Sequence, residues 1–334
     1  MPPHDPPRLA WVLGDPAGIG PEIVAKSLAD PTLEGVCRPV VVGPPWLLER
    51  GMEVARVKLP TCVCDAARAG DPPAGTIPVV DHGWPVGAFQ PGKLSAAGGR
   101  LCIEMLRAAV DMARAGAVDA VVFAPLNKEG LRLGGNPHAD EHRLVAEWLG
   151  ETPHGEINAV GGLFTTRVTS HVPLKDVPSL LHPEKIVRAV KVLHGTLVRA
   201  GIENPVVAVA ALNPHGGEHG LCGTEELTVI EPAVARAREA GLPVAGPYPA
   251  DTIFVRATRG EFHGVVTMYH DQGQIATKLL GFDRGVTIMG GLSLVITTPA
   301  HGTAYDIAGK GVANPGAFQA AVRLAAQLAT RPRN

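Results

Sequence analysis

The sequence predicts an α/β fold, and three observations carry the prediction. Short Val-rich apolar runs recur along the chain and end in Gly, Pro or Asp. They show little polar–apolar alternation, as strands buried on both faces of a mostly parallel sheet do. Segments with helical spacing lie between many of them, and alternation of the two element types defines the class. The polar, Gly-rich stretches fall directly after the apolar runs, on the side where open α/β sheets gather ligands.

Taken in order, "LAWVLGDP" (9–16) reads as a strand and "PEIVAKSLAD" (21–30) as the helix after it. "PVVVGPP" (39–45), "TIPVVDHG" (76–83) and "DAVVFAPL" (119–126) are further strands. Before the last of these, residues 94–117 place apolar side chains at 101, 105, 106, 109, 110 and 113, one face of a helix. "DEHRLVAEWLG" (140–150) and "PEKIVRAVKVLHGTLVRAG" (183–201) follow as helices, then the strand "PVVAVAALNPH" (205–215) and the helix "GTEELTVIEPAVARAREAG" (223–241). The strands "GVVTMYHD" (264–271), "GVTIMGG" (285–291) and "LSLVITTPAHG" (292–302) precede the closing helix "PGAFQAAVRLAAQLATR" (315–331). No repeat or low-complexity linker interrupts the series.

A chain of 334 residues suffices for two domains or one large one. Apolar residues at 46% and charged residues at 19% are ordinary for a globular protein. A net charge of −2 gives no footprint for nucleic acid or an anionic membrane. The 40 Gly and 31 Pro, spread between apolar runs, indicate many tight connections. Cys37, Cys62, Cys64, Cys102 and Cys222 are odd in number and lack zinc-site spacing, so free thiols in a reducing cytoplasm are expected. "MPPHDPPRLA" has no apolar signal region, and no run is long enough to span a membrane.

His171, His215 and His270 each stand at the end of an apolar run, 44 and 55 residues apart. Successive strands could bring three such imidazoles together as a catalytic metal site; three separately satisfied histidines are the other reading. Asp271 and Asp251 could complete the site or orient its ligands, and Asp251 could equally be a helix cap before Thr252. Lys128 and Lys278 could each bind an anion or move a proton, or simply be solvated. "GDPAGIGPE" (14–22) lacks the G-x-G-x-x-G spacing of a dinucleotide fingerprint. "HGTAYDIAGKGVANP" (301–315) lets backbone approach a ligand at Gly302, Gly309 and Gly311, with His301 and Asn314 at its ends.

Together, "GDPAGIGPE", "HVPL", "NPHGGE", "GTEE", "PADTIF", "MYHDQG", "GFDRGV" and "HGTAYDIAGKG" resemble, in order, the 4-hydroxythreonine-4-phosphate dehydrogenase (PdxA) family. The resemblance implies two α/β/α domains with an interdomain cleft, isopropylmalate dehydrogenase-like and not dinucleotide-binding Rossmann. The expected division is 1–125 with 290–334 on the nucleotide side, and 126–289 on the metal, substrate and dimer side. It implies a homodimer with the active site at its interface. By the same resemblance His171, His215 and His270 bind a divalent metal, and Lys278 contacts substrate. His301, Gly302 and Asn314 line the NAD or NADP pocket. Zinc is the expected metal, with cobalt, magnesium or manganese as alternatives. The family's substrate-contacting His and Thr align with Glu141 and His142, its Asn with Thr287 and its Arg with Ile296. Replacing Arg by Ile removes a charge and five donors from a phosphate site, so the substrate end is expected to be rebuilt.

The implied chemistry is metal-assisted oxidation of a secondary alcohol of a small hydroxy acid by NAD(P), with decarboxylation when the product is a β-keto acid. Lys278 would hold the substrate anion, while Asp251 and Asp271 position ligands or relay a proton. A 4-phosphooxy-threonine-type substrate follows from the resemblance; a carboxylated cis-dihydrodiol or another non-phosphorylated hydroxy acid follows from the altered positions. A metallohydrolase is the alternative class, for which the Gly-rich loop at 301–315 would have no use.

Overall fold

The computed structural model describes residues 5–87, 89–152 and 155–330. The chain forms two compact units, one of residues up to 152 together with 293–330, the other of residues 155–292. The first unit includes residues 126–152.

The first unit contains β1 (Arg8–Val12), α1 (Gly20–Leu28), β2 (Arg38–Val42), α2 (Pro45–Ala55), β3 (Thr61–Cys64), β4 (Ile77–Val80) and α3 (Ala96–Arg114). It continues with β5 (Ala120–Phe123), α4 (Lys128–Gly134) and α5 (Glu141–Leu149). The second unit holds β6 (Glu156–Val160), β7 (Leu163–Arg167), α6 (Val177–Leu180), α7 (Pro183–Arg199), β8 (Val207–Ala210) and α8 (Glu231–Glu239). It is completed by β9 (Val244–Tyr248), α9 (Ala250–Thr258), β10 (Gly264–Thr267), α10 (His270–Gly281) and β11 (Val286–Met289). The chain then returns to the first unit as β12 (Ile296–Pro299) and α11 (Gly316–Ala329).

In the first unit the strands lie in the order β3-β4-β2-β1-β5-β12, with parallel pairing throughout. Its α/β class is as the apolar runs foretold. β1, β5 and β12 are buried along almost their whole length, which explains why they lack alternation. Trp11 of β1 packs edge-on against Phe318 of α11, with ring centres 5.3 Å apart. The apolar stripe of α3 is buried at Leu101, Met105, Leu106, Ala109, Val110 and Ala113. Ser95 caps that helix by accepting from the Gly98 amide. The chain order reverses between β1 and β5, so the loops after these two strands flank a switch point.

In the second unit the strand order is β11-β6-β7-β10-β8-β9, with mixed pairing. β7, β10, β8 and β9 are parallel neighbours, while β6 pairs antiparallel with both β7 and β11. β6 and β7 form a hairpin through Gly161 and Gly162, whose φ of 56° and 87° suit a two-residue turn. This hairpin was missing from the sequence reading because its buried positions include Asn158, Thr165 and Thr166. The short strands β3 and β9 and the helices α2, α4, α9 and α10 were also not foreseen. All five cysteines are free thiols. Burial pushes the Cys37 thiol up to about 12. Among the described residues, no helix is long and apolar enough to cross a membrane.

Candidate active site

The four parallel strands of the second unit set out its polar residues. His171 follows β7, His270 follows β10, His215 follows β8 and Asp251 follows β9, all at the carboxyl ends of adjacent strands. Beyond the β7–β10 ladder, Val168 and Thr169 still donate to the carbonyls of Thr267 and Met268. His171 and His270 each come two residues after that last rung, and their ring centres stand 5.4 Å apart. Both line a cavity of about 280 Å³ with Thr169, Ser170, Tyr269 and Asp271.

The His270 Nδ1 is 2.7 Å from Asp271 Oδ1. A carboxylate there holds the tautomer that donates from Nδ1 and leaves the Nε2 lone pair for a ligand. Three imidazoles and a carboxylate are a donor set suited to a divalent transition metal. Of these, the cavity gathers His171, His270 and Asp271. His215 stands exposed on its own turn, and among the described residues no group of three or more His, Cys, Asp or Glu side chains is arranged to hold a metal ion.

Lys278 lies on α10 eight residues past His270, about 12 Å along the axis at 1.5 Å per residue, and is exposed. Asp251 is in the first turn of α9, where Pro249 and not Asp251 occupies the capping position. An acidic side chain there suits the helix dipole. Thr287 on β11 accepts a hydrogen bond from the Asn158 amide at 3.0 Å. Asn158 in turn accepts from Arg167 and Gln274, and Arg167 pairs with Glu156 and donates to Ser170 beside His171.

In the first unit, the loop 301–315 rests on the residues that follow β1. The Tyr305 hydroxyl donates to Asp15 Oδ2 at 2.6 Å, while Asp15 Oδ1 accepts from the Ala17 amide. Burial raises the Asp15 carboxyl, against these two hydrogen bonds. Burial beside Asp15 also raises the Tyr305 phenol. Ile19 donates to the Thr303 carbonyl, and a Cβ on Gly18 would stand 2.9 Å from that oxygen. Glu22 Oε1 accepts from both the Ala313 amide and Lys26 Nζ, which also donates to the carbonyls of Gly311 and Ala313. "GDPAGIGPE" is thus the cradle that fixes the second loop, which accounts for its lack of a dinucleotide fingerprint.

At the start of that loop, Gly302 is exposed and a Cβ built on it meets nothing within 4 Å. His301 Nδ1 lies 3.0 Å from the Gly302 carbonyl. Asn314 Oδ1 accepts from the Gly316 amide, anchoring the entrance to α11. Three positions proposed for substrate lie elsewhere in this unit. Ile296 is fully buried in β12 beside Val121, so it has no surface to offer a ligand. His142 is 5% exposed within α5, and Glu141 is half-buried in that helix's first turn.

Glu226 escaped the sequence reading, although it lies inside the quoted motif GTEE. Glu226 Oε1 accepts from the Leu212 and Asn213 amides, both at 2.8 Å, and its Oε2 accepts from the Asn213 side chain. Gln272 accepts from the Met268 amide and donates to the Ala211 carbonyl. The only advance signal was the acidic pair in "GTEE", which a solvated helix start explains equally well.

The chain matches the family model for the pyridoxal phosphate biosynthetic protein PdxA over residues 35–325. A Pseudomonas aeruginosa relative, provisionally named as a second 4-hydroxythreonine-4-phosphate dehydrogenase, is 46% identical over 96% of this chain and 97% of its own. The D-threonate 4-phosphate dehydrogenase of Cupriavidus necator is 40% identical over 97% of this chain and 98% of its own. Among solved structures, 4-hydroxythreonine-4-phosphate dehydrogenase from Klebsiella pneumoniae superposes with a TM-score of 0.87 at 37% identity, covering 98% of this chain and 99% of its own. A terephthalate 1,2-cis-dihydrodiol dehydrogenase from Burkholderia xenovorans gives 0.67 at 30% identity, covering 96% of this chain and 98% of its own. The chain belongs to the PdxA family and is an oxidoreductase acting on a hydroxyl group.

Proposed function

We propose that this protein oxidises the secondary alcohol of a small phosphorylated hydroxy acid with NAD(P), at a divalent metal held by His171, His215 and His270. The observation that carries the reading is the placement of these histidines after three adjacent parallel strands, two of them already facing one cavity with Asp271 orienting His270. Such a metal, when bound, would supply Lewis-acid chemistry at the substrate hydroxyl. Asp271 keeps the His270 lone pair directed outward. Lys278 offers an ammonium to the substrate's anionic end. His301, Gly302 and Asn314 present an open stretch of loop to the nucleotide. Decarboxylation follows where the oxidised product is a β-keto acid.

The substrate class rests on relatives named for 4-hydroxythreonine-4-phosphate and D-threonate 4-phosphate. One observation favours a second reading, a carboxylated cis-dihydrodiol: the solved relative named as a terephthalate 1,2-cis-dihydrodiol dehydrogenase. NADH and NADPH formation by metal-loaded protein, with both phosphorylated acids and a dihydrodiol panel, separates the two. Turnover of a phosphorylated acid, abolished by chelator and by His270→Ala, is the expected result; turnover confined to unphosphorylated diols would establish the second reading. A homodimer completes the proposal, since the second unit exposes Leu174, Leu221, Ile275 and Leu279.

A further inference from the structure

Two adjacent hydroxyls, on Thr169 and Ser170, line the cavity shared by His171 and His270, and they are used differently. Thr169 is buried, and its hydroxyl donates to the Met268 carbonyl at 2.8 Å. Ser170 is half-buried, and its Oγ accepts from Arg167 Nε at 2.9 Å. A hydroxyl carries one hydrogen, and a Ser170 oxygen that accepts from Arg167 still has that hydrogen to donate. Among the described residues no atom accepts it. The guanidinium that holds Ser170 is itself held. The Arg167 side chain is 7% exposed; its Nη1 donates to Asn158 Oδ1 at 3.0 Å and its Nη2 pairs with Glu156. Asn158 Oδ1 also accepts from Gln274 at 2.6 Å, and its amide group donates to Thr287. A buried charge persists where its partners are in place, and a planar fork gripped at two nitrogens fixes the direction of the third. The Nε–H is therefore aimed at Ser170 by residues on β6, and its charge strengthens the hydroxyl as a donor. The residue after Ser170, His171, has a φ of 54°, a left-handed position that an L-residue keeps only where its surroundings determine it.

We propose that Ser170 is a substrate-binding residue, whose hydroxyl donates to a substrate oxygen in the cavity beside His171 and His270, and that Arg167 is a positioning residue acting through it. The proposal rests on the reading of this cavity as the substrate site. None of the nine residues lining the cavity is Lys or Arg, while Val172, Leu174 and Val177 give it an apolar wall. A phosphate dianion calls for charge-assisted donors. An alcohol hydroxyl or a carboxylate oxygen is matched by one neutral hydroxyl beside imidazoles. The cavity therefore receives the end of the hydroxy acid that bears the reacting alcohol, and a phosphate group lies outside it.

Calorimetric titration without nucleotide reads binding and not turnover. The probes are 4-hydroxythreonine-4-phosphate and D-threonate 4-phosphate, for which relatives are named. Each is added to zinc-supplemented wild type, Ser170→Ala, Ser170→Thr, Arg167→Lys and the double variant of Ser170→Ala with Arg167→Lys. Losing one hydrogen bond should weaken binding by Ser170→Ala about tenfold, while Ser170→Thr, which keeps the hydroxyl, stays within about threefold of wild type. Arg167→Lys keeps the charge opposite Glu156 but loses the fork, so it should weaken binding alone and add nothing in the Ser170→Ala background. Both acids bound by Ser170→Ala as tightly as by wild type overturn the inference and leave the cavity as the substrate site. Equal losses from Arg167→Lys with and without the Ser170 hydroxyl overturn the positioning role. Wild type that binds neither acid overturns the substrate reading, and the inference with it. Should Arg167→Lys fail to fold, the Ser170→Ala and Ser170→Thr pair decides the role of Ser170.

Discussion

At Asp15 a carboxylate 4% exposed accepts from one phenol and one backbone amide, and little else compensates its burial. Removing the phenolic donor leaves Oδ2 buried and unsatisfied, at a cost of about 1–3 kcal/mol. Tyr305→Phe should therefore lower stability by that amount in urea unfolding. It should also weaken NAD(P)H binding, since Tyr305 is one of the ties that fasten the 301–315 loop to the residues after β1. Glu226 gives the opposite acid response to Asp15. Burial works to raise its carboxyl, but the hydrogen bonds from Asn213 and Leu212 outweigh this and hold it below the ordinary 4.5. A depressed folded-state pKa gives stability that is full above 4.5 and lost as pH falls through the folded value. Asp15, raised by burial, favours the folded state more as it protonates, so it cannot produce that acid loss. Urea midpoints measured from neutral pH to below 4.5 should fall less steeply in Glu226→Gln than in wild type. Equal slopes would show that the carboxylate is not the group responsible.

Elements here meet through glycine. A Cβ on Gly99 of α3 would lie 1.7 Å from the Gly130 carbonyl of α4, and one on Gly134 would lie 2.3 Å from the Arg100 nitrogen. Gly99→Ala must separate the two helices and should cost about 1–3 kcal/mol, read as a lower urea midpoint with unchanged slope. The sequence made α3 legible through its apolar spacing, yet it could not show that Gly99 and Gly134 mark a helix crossing, because periodicity reports the buried face and not the backbone distance. The same contrast runs through the site. The strands that precede His215 and His270 were legible as apolar runs, whereas β7 before His171 carries Thr165, Thr166 and Arg167. α10 was not legible, because Gly273, Ile275 and Thr277 weaken its helical pattern, and the β6–β7 hairpin was hidden by buried Asn158, Thr165 and Thr166. The alignment of Ile296 with a substrate-binding position rested on resemblance alone. Correspondence in sequence identifies a place in a strand, and here that place is filled by a side chain wholly inside the core.

For the molecule as a whole, α10 carries both proposed site residues and exposed apolar side chains. Asp271, Ile275, Lys278 and Leu279 share one face by their spacing, and Ile275 and Leu279 are 62% and 83% exposed. Burying a Leu or Ile side chain contributes roughly 1.5–3 kcal/mol, so an apolar pair on a helix surface is a strong drive toward a second copy. In the proposed homodimer, a subunit covering that pair would also cover the flank of Lys278, so the site would depend on the partner. Ile275→Glu with Leu279→Glu should therefore shift the protein to a monomer in sedimentation velocity without touching any proposed ligand. NAD(P)H formation should fall with the dimer fraction and recover at protein concentrations where dimer returns. A double variant that remains dimeric would place the interface on another face, whereas an active monomer would confine the site to one chain.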